Sequence, residues 1–236
     1  MIYEKVIEKI ILKLREYLGN KKAIIGISGG IDSAIVAALC ARAVGKENVL
    51  GVLIPYGKQS AEDGKLVANH IGIENKEINI KEMVDKFNYI EFDKISLGNI
   101  MARMRMIILY SFANQLNGMV IGTSNKTETE IGYFTKYGDG GCDIEPIADI
   151  YKTEIFEIAK ILGIPQKIIN RKPSAELFDG QTDEGEIGAN YGEIDSVLKG
   201  EINNGKIYDE IQRRIKSSEH KRHMPPTFYV QGELYK

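Results

Sequence analysis

Short apolar runs alternate with segments of helical periodicity along most of the chain. Brief runs of apolar or β-branched residues predict strands, and apolar residues that recur every three or four positions predict amphipathic helices. We therefore predict strands at 23–25, 49–54, 77–80 and 119–121. The predicted helices cover residues 2–18, 34–44, 60–71, 81–87, 100–116, 151–162, 191–199 and 204–218.

This alternation is typical of an α/β fold with a parallel sheet flanked by helices on both faces. We expect the helical C-terminal portion to belong to the same unit, so that residues 1–236 form a single domain. Helix 100–116 is apolar almost all round. Such a helix is buried, and the pattern leaves open whether it lies in the core or at a subunit interface.

A glycine loop, residues 26–33, connects the first predicted strand to a helix. Its residues are Gly26, Ile27, Ser28, Gly29, Gly30, Ile31, Asp32 and Ser33. A strand–turn–helix start directs backbone N–H groups at an anion, and adjacent glycines let phosphate oxygens approach the backbone. Asp32 offers a carboxylate to a hard cation beside the phosphates. The alternative is a plain helix cap by Asp32 or Ser33.

A second polar segment, residues 122–128, follows the strand at 119–121. Ligands of parallel sheets lie beyond the carboxyl ends of the strands, where both segments are expected. Thr123 is a candidate nucleotide contact, and Glu128 a candidate magnesium ligand. The alternative is a capping box, with Asn125 at the N-cap and Glu128 at N3.

Composition narrows the function classes. The formal net charge of -2 over 236 residues gives no reason to expect a nucleic-acid partner. The only cysteines, Cys40 and Cys142, are far apart, which disfavours a disulfide framework or a zinc site and fits a reducing compartment. Cys40 lies on an apolar helix face and is expected in the core. We expect a cytoplasmic protein without a membrane segment, because no apolar run reaches spanning length.

Residues 132–150 have neither a helical nor a strand period, although Tyr133, Phe134 and Tyr137 argue against simple disorder. Long loops within compact domains are usually functional. The loop contains Asp139 between two glycines and Cys142 without a neighbouring histidine. A catalytic thiol is therefore disfavoured.

The glycine loop resembles the S-G-G-x-D-S pyrophosphate loop of the ATP pyrophosphatase family. It lacks the lysine of a Walker loop. The chain as a whole resembles the ammonia-dependent NAD synthetases of that family, most specifically in residues 132–143, where twelve neighbouring positions agree in order. The other matching segments are 28–33, 98–106, 122–128, 146, 152, 173–175, 181–184 and 220–222, and at 187–188 Ile-Gly replaces the Leu-Gly of the family.

The resemblance implies an adenine nucleotide alpha hydrolase-like fold and a reaction. Deamido-NAD would attack ATP through its nicotinate carboxylate, giving an acyl adenylate and pyrophosphate, and ammonia would then displace AMP to leave NAD. It implies Mg²⁺ held by Asp32 and Glu128, and a homodimer with the dinucleotide at the two-fold interface. ATP would contact the glycine loop, Thr123, Lys152 and Ser174, and deamido-NAD would contact Arg103, Lys136, Asp143, His220 and Lys221.

No covalent nucleophile is evident, and Asp139 is our candidate for binding and deprotonating ammonium. Free ammonia is the expected nitrogen source, because no glutaminase portion precedes the first strand. A tRNA thiolase would be expected to show cysteine pairs and a basic surface, and neither is present. A non-catalytic nucleotide-binding module would need the glycine loop but neither Glu128 nor the 136–143 segment.

Overall fold

The computed structural model describes residues 2–87, 91–174 and 182–228. Four parallel strands form one sheet in the order β3-β2-β1-β4. The strands are β1 (Lys22–Gly26), β2 (Val49–Leu53), β3 (Glu74–Glu77) and β4 (Gly118–Ile121). The α/β prediction is therefore confirmed.

The third predicted strand, 77–80, is placed wrongly by three residues. The observed β3 lies at the sheet edge, and its side chains are mostly exposed, so it shows no apolar signal. Ile78 and Ile80, which suggested the strand, follow it and donate backbone hydrogen bonds to Leu53 and Pro55 at the end of β2. The apolar pattern thus marks the residues that follow β3 along the sheet edge rather than β3 itself.

Eleven helices accompany the sheet within the described residues. They are α1 (Ile2–Leu18), α2 (Ile31–Val44), α3 (Glu62–Ile71), α4 (Lys81–Asp85), α5 (Lys94–Leu116), α6 (Lys126–Ile131), α7 (Lys152–Leu162), α8 (Gln166–Ile169), α9 (Asp183–Ile187), α10 (Tyr191–Leu198) and α11 (Lys206–Ser217). The sequence pattern predicts the longer helices, although it places the start of α5 six residues too late. It does not predict α8 or α9, and it indicates α6 only through the alternative capping box at Asn125 and Glu128.

Alternate strand side chains enter cores on opposite faces of the sheet. Ala23 and Ile25 of β1 pack with α1, α2 and α7, whereas Ile24 packs with α4 and α5. Cys40 lies fully buried in the first core, as predicted. A third apolar cluster joins α6 to α9, α10 and α11. Helices thus cover both faces, and the helical C-terminal portion packs beside the carboxyl edge through α6.

Helix α5 is not buried all round in a single copy of the chain. Met101, Ile108 and Ala113 face the core, whereas Ile95 and Ile107 are 67% and 52% exposed. Helix α5 is therefore buried only on the side that faces the core. An interface role for its exposed side stays a prediction. In the ranges that the structure describes, no helix is both long and apolar enough to cross a membrane.

Candidate active site

The glycine loop turns directly from β1 into α2. Gly29 has a φ of +83°, and a Cβ there would lie 2.6 Å from the Asp63 side chain, so only glycine fits. Ser28 accepts a hydrogen bond from the Gly30 amide at 3.1 Å, and Ser33 donates to the Gly30 carbonyl at 3.0 Å. The N-cap of α2 is Gly30, without a side-chain cap. The capping interpretation of Asp32 and Ser33 is therefore wrong.

The Asp32 carboxylate instead contacts a buried lysine of α7. Lys152, only 2% exposed, lies at the first turn of α7. Its Nζ donates to Asp32 Oδ2 at 2.6 Å and to Glu128 Oε1 at 3.0 Å. Asn125 donates to the other Asp32 oxygen at 3.0 Å. We call Asp32, Glu128 and Lys152 the inner charge cluster.

The capping box predicted as the alternative role of Glu128 is also present. Asn125 accepts from the Glu128 amide at 3.0 Å, and Glu128 Oε2 accepts from the Asn125 amide at 3.4 Å. The other oxygen, Oε1, accepts from Lys152. The cap therefore orients Glu128 toward the cluster, and the two interpretations are compatible.

Burial and pairing shift the titration of this cluster. Burial raises the pKa of Glu128 to about 7, and the Lys152 ammonium lowers it only in part. Burial alone would lower the pKa of Lys152, but the Asp32 and Glu128 carboxylates outweigh burial and raise it. The two carboxylates therefore favour the charged form of Lys152, whereas burial opposes the charge on Glu128.

Asp195, which no sequence pattern indicates as a site residue, holds this arrangement in place. It is buried on α10 and accepts hydrogen bonds from the Thr153 amide at 3.0 Å and hydroxyl at 2.7 Å. It also accepts from the Thr127 hydroxyl, whose oxygen accepts from the Lys152 amide at 2.9 Å. One carboxylate thus joins the helix that carries Glu128 to the helix that carries Lys152.

A cavity of about 530 Å³ opens between the glycine loop and the 132–143 loop. Strand ends and α5 form its wall, and the inner charge cluster lies at one side. The predicted residues that line it are Gly26, Ile27, Ser28, Gly30, Asp32, Ser33, Thr123, Glu128, Asp139, Lys152, Ser174 and Lys221. Apolar and cationic residues of α5, including Arg105, Met106 and Leu109, complete it. Its size and mixed lining suit a nucleotide.

Close packing shapes the 132–143 loop. A Cβ on Gly140 would lie 2.5 Å from the Phe134 ring, which excludes larger residues. Asp139 accepts from the Thr135 amide at 2.9 Å while its side chain stays open to the cavity. Desolvation by the surrounding protein raises the pKa of Asp139. Lys221 donates to the carbonyls of Gly132 and Phe134 and so fastens the loop.

The remaining residues predicted to bind deamido-NAD lie outside the cavity. Arg103 donates to the Lys136 carbonyl at 3.3 Å, and Lys136 donates to the His220 carbonyl. We call Arg103, Lys136 and His220 the outer cationic group. Asp143 accepts from the Val120 amide at 2.8 Å and the Tyr110 hydroxyl at 3.1 Å. Within the described part of the chain, Lys221 thus lines the cavity, whereas these four residues do not, although His220 is the chain neighbour of Lys221.

Glu145 is a second carboxylate that no sequence pattern indicates as a site residue. It accepts from the Ser124 amide at 3.1 Å and from the Cys142 thiol at 3.2 Å. Burial raises the pKa of Glu145 to about 7 and also raises the pKa of Cys142. The Cys142 thiol is therefore protonated at neutral pH, which agrees with the expectation that it is no nucleophile.

Comparison with known proteins adds independent findings. The family model described as NAD synthase matches residues 3–225. The NH(3)-dependent NAD(+) synthetase of Pyrococcus horikoshii is 48% identical over 246 residues, covering 96% of this chain and 95% of the relative. That of Thermoplasma volcanium is 44% identical, covering 94% and 96%.

Two solved structures resemble the chain throughout. An NMN synthetase from Francisella tularensis superposes with a TM-score of 0.91 at 34% identity, covering 96% of this chain and 98% of that one. An NH3-dependent NAD synthetase from Campylobacter jejuni superposes with a TM-score of 0.82 at 33% identity, covering 97% and 99%.

Proposed function

The chain belongs to the NAD synthase family, and from that premise we propose that it amidates deamido-NAD to NAD with ammonia, using ATP as co-substrate. The observation that carries the proposal is that one cavity is lined both by the inner charge cluster and by Asp139. Phosphate chemistry and ammonia chemistry need those two kinds of group within reach of one substrate carboxylate. We further propose that residues 1–236 act as one cytoplasmic domain.

Asp32 and Glu128 fit a magnesium ion. Mg²⁺ is usually held by one or two carboxylates together with substrate phosphates. Both carboxylates contact the ammonium group of Lys152, so their oxygens face the same position. No larger group of His, Cys, Asp or Glu suited to a metal lies within the described residues. When bound, the ion would offset charge on the phosphate oxygens.

The chain's own residues then have separate tasks. The glycine loop holds the pyrophosphate through amides and hydroxyls, and Thr123, Lys152 and Ser174 contact ATP. The nicotinate carboxylate attacks the α-phosphorus, so that the bond from that phosphorus to the bridging oxygen breaks and pyrophosphate leaves. Ammonia then attacks the acyl carbon, and AMP leaves with the bond electrons. Asp139 accepts the proton that ammonium releases, for which a raised pKa is suited.

A homodimer would complete the dinucleotide site. The outer cationic group lies outside the cavity, on the side of the chain that also presents the 54% exposed Tyr137. Ile107, 52% exposed on α5, supplies an apolar contact. We expect light scattering to give twice the chain mass, and Ile107→Glu to give a monomer. A monomeric wild-type protein would contradict the dimer.

The reaction is tested with the pure protein, deamido-NAD, magnesium-ATP and either ammonium or glutamine. We expect NAD, AMP and pyrophosphate in equal amounts with ammonium. ADP in place of AMP, or no NAD, would contradict the proposal. The likeness to an NMN synthetase supplies a second candidate, so the nicotinate mononucleotide is compared as substrate. A higher kcat/KM for the mononucleotide would favour that candidate.

Asp139→Asn tests the proton acceptor, because the amide keeps the shape but cannot take a proton. We expect NAD formation to fall about a hundredfold, while deamido-NAD-dependent exchange of pyrophosphate into ATP continues. Asp149→Asn, at a side chain that is 96% exposed, is the matched control. Full activity of Asp139→Asn at neutral pH would rule out this role.

A further inference from the structure

Helix α10 presents two buried side chains to the inner charge cluster. Tyr191 and Asp195 are only 5% and 2% exposed. They are four positions apart, so they lie one turn from each other on the same face of the helix. Neither residue lines the cavity. Any effect that they have on the reaction must therefore pass through the residues that they contact.

Asp195 connects the starts of the two helices that carry Glu128 and Lys152. Its carboxylate accepts hydrogen bonds from the Thr127 hydroxyl on α6 and from the amide and the hydroxyl of Thr153 on α7. The Thr127 oxygen also accepts from the Lys152 amide at 2.9 Å. The first amides of a helix have no partner within it, and here this network satisfies two of them. A residue of a third helix therefore fixes the start of α7 against α6.

Tyr191 contacts the side chains of the same two cluster residues directly. Its hydroxyl lies 3.4 Å from Glu128 Oε1 and donates to Asp183 at 2.9 Å. The centre of its ring lies 5.0 Å from Lys152 Nζ, within the range of a cation–π contact. The ring therefore stabilises the ammonium in the position where it bonds to Glu128. Helix α10 thus supports the pair through the backbone, by Asp195, and through the side chains, by Tyr191.

The geometry that magnesium requires makes this support relevant to the reaction. Mg²⁺ demands near-ideal octahedral geometry with ligand oxygens about 2.0–2.1 Å away, so a small displacement of one carboxylate weakens its binding. Removing a group that orients a metal ligand typically lowers metal affinity or activity about 10- to 100-fold. Asp195 holds Thr127, the chain neighbour of Glu128, and Tyr191 contacts the Glu128 carboxylate itself. Both residues therefore orient a proposed ligand of the ion.

We propose that Tyr191 and Asp195 are positioning residues that set the affinity of the site for magnesium–ATP. The inference rests on the proposed function, in which Asp32 and Glu128 hold magnesium and Lys152 contacts ATP. It gives the helical C-terminal portion a part in the reaction, although neither positioning residue touches the substrate.

The test is calorimetric titration of the enzyme with magnesium–ATP in the absence of deamido-NAD, so that no amidation occurs. We expect Asp195→Asn, which keeps the shape but removes the charge, to raise the dissociation constant at least about tenfold. Tyr191→Phe and Thr153→Val each remove one hydroxyl and should raise it about threefold. Glu193→Gln is the matched control, because it changes a carboxylate of the same helix that caps α10 itself. We expect it to change the dissociation constant by no more than about twofold.

The same titrations separate positioning from partial unfolding. Molecules that fail to fold lower the binding stoichiometry, whereas a displaced carboxylate raises the dissociation constant. An unchanged dissociation constant in Asp195→Asn would overturn the inference, as would equal weakening in Glu193→Gln. Should thermal melting show that Asp195→Asn does not fold, unchanged binding in both Tyr191→Phe and Thr153→Val would overturn it instead. The proposed function fails separately, if the wild-type protein binds magnesium–ATP but forms neither AMP nor pyrophosphate once deamido-NAD is added.

Discussion

The inner charge cluster and the outer cationic group handle charge in opposite ways. In the cluster, Lys152 is buried and bonded to two carboxylates that are themselves held by a cap and by Asn125. In the outer group, Arg103 and Lys136 donate to backbone carbonyls, the Lys136 ammonium also lies over the Tyr137 ring, and His220 is exposed. Buried charges must have fixed partners, whereas exposed charges are screened by water. The cluster is therefore preorganised, whereas we propose that a ligand or a second copy of the chain completes the outer group.

Asp32→Ala should disrupt the inner charge cluster and have the largest effect. We expect adenylation to fall about a thousandfold, because the carboxylate is proposed to hold magnesium beside the leaving group. The measurement is deamido-NAD-dependent exchange of pyrophosphate into ATP, with thermal melting to show that the fold is largely intact. Asp32→Asn removes only the charge and should behave alike. Normal exchange in both variants would refute the metal role.

Lys152→Met should show how much the preorganised cluster contributes to the free energy of unfolding. Removing the ammonium leaves two carboxylates facing each other, and we expect a loss of about 3 kcal/mol in the free energy of unfolding. Urea unfolding measures it, and magnesium should restore more stability to this variant than to the wild type. Lys126→Met, which removes a more exposed ion pair with Asp149, should cost less than about 1 kcal/mol. Equal stability of both variants would contradict the argument.

Lys136→Gln tests the role of the outer cationic group. If the outer group contacts only deamido-NAD, we expect the KM for that substrate to rise about tenfold, with kcat and the KM for ATP unchanged. Lys160→Gln, at an exposed pair with Glu157 on α7, is the control. A fall in kcat without a change in KM would place Lys136 in the chemistry instead.

Glu145 should give the smallest effect, visible as pH dependence. Its folded-state pKa of about 7 exceeds the ordinary glutamate pKa of 4.5, so the folded protein binds more protons between these values. Its contribution to stability is therefore present at acidic pH and lost as the pH rises through 7. We expect the melting temperature to fall less from pH 5 to pH 8 in Glu145→Gln than in the wild type. Parallel curves would exclude Glu145 as the cause.

Structural features that depend on residues close together in the chain could be predicted from the sequence. The glycine loop follows from local backbone demands, such as the positive φ of Gly29. The edge strand β3 was misplaced because its exposed residues carry no apolar period. Asp195 was missed because its partner Thr153 is 42 positions away, and nothing local distinguishes Asp195 from an ordinary polar residue on a helix.

The contacts of Lys221 and Arg222 connect the loop that carries Asp139 to a later part of the chain. Lys221 fastens the 132–143 loop, and Arg222 donates to the carbonyls of Glu130 and Ile215. The Lys221 contacts with Gly132 and Phe134 span 89 and 87 residues. During synthesis, the loop therefore gains this support only after the segment that contains Lys221 has been made.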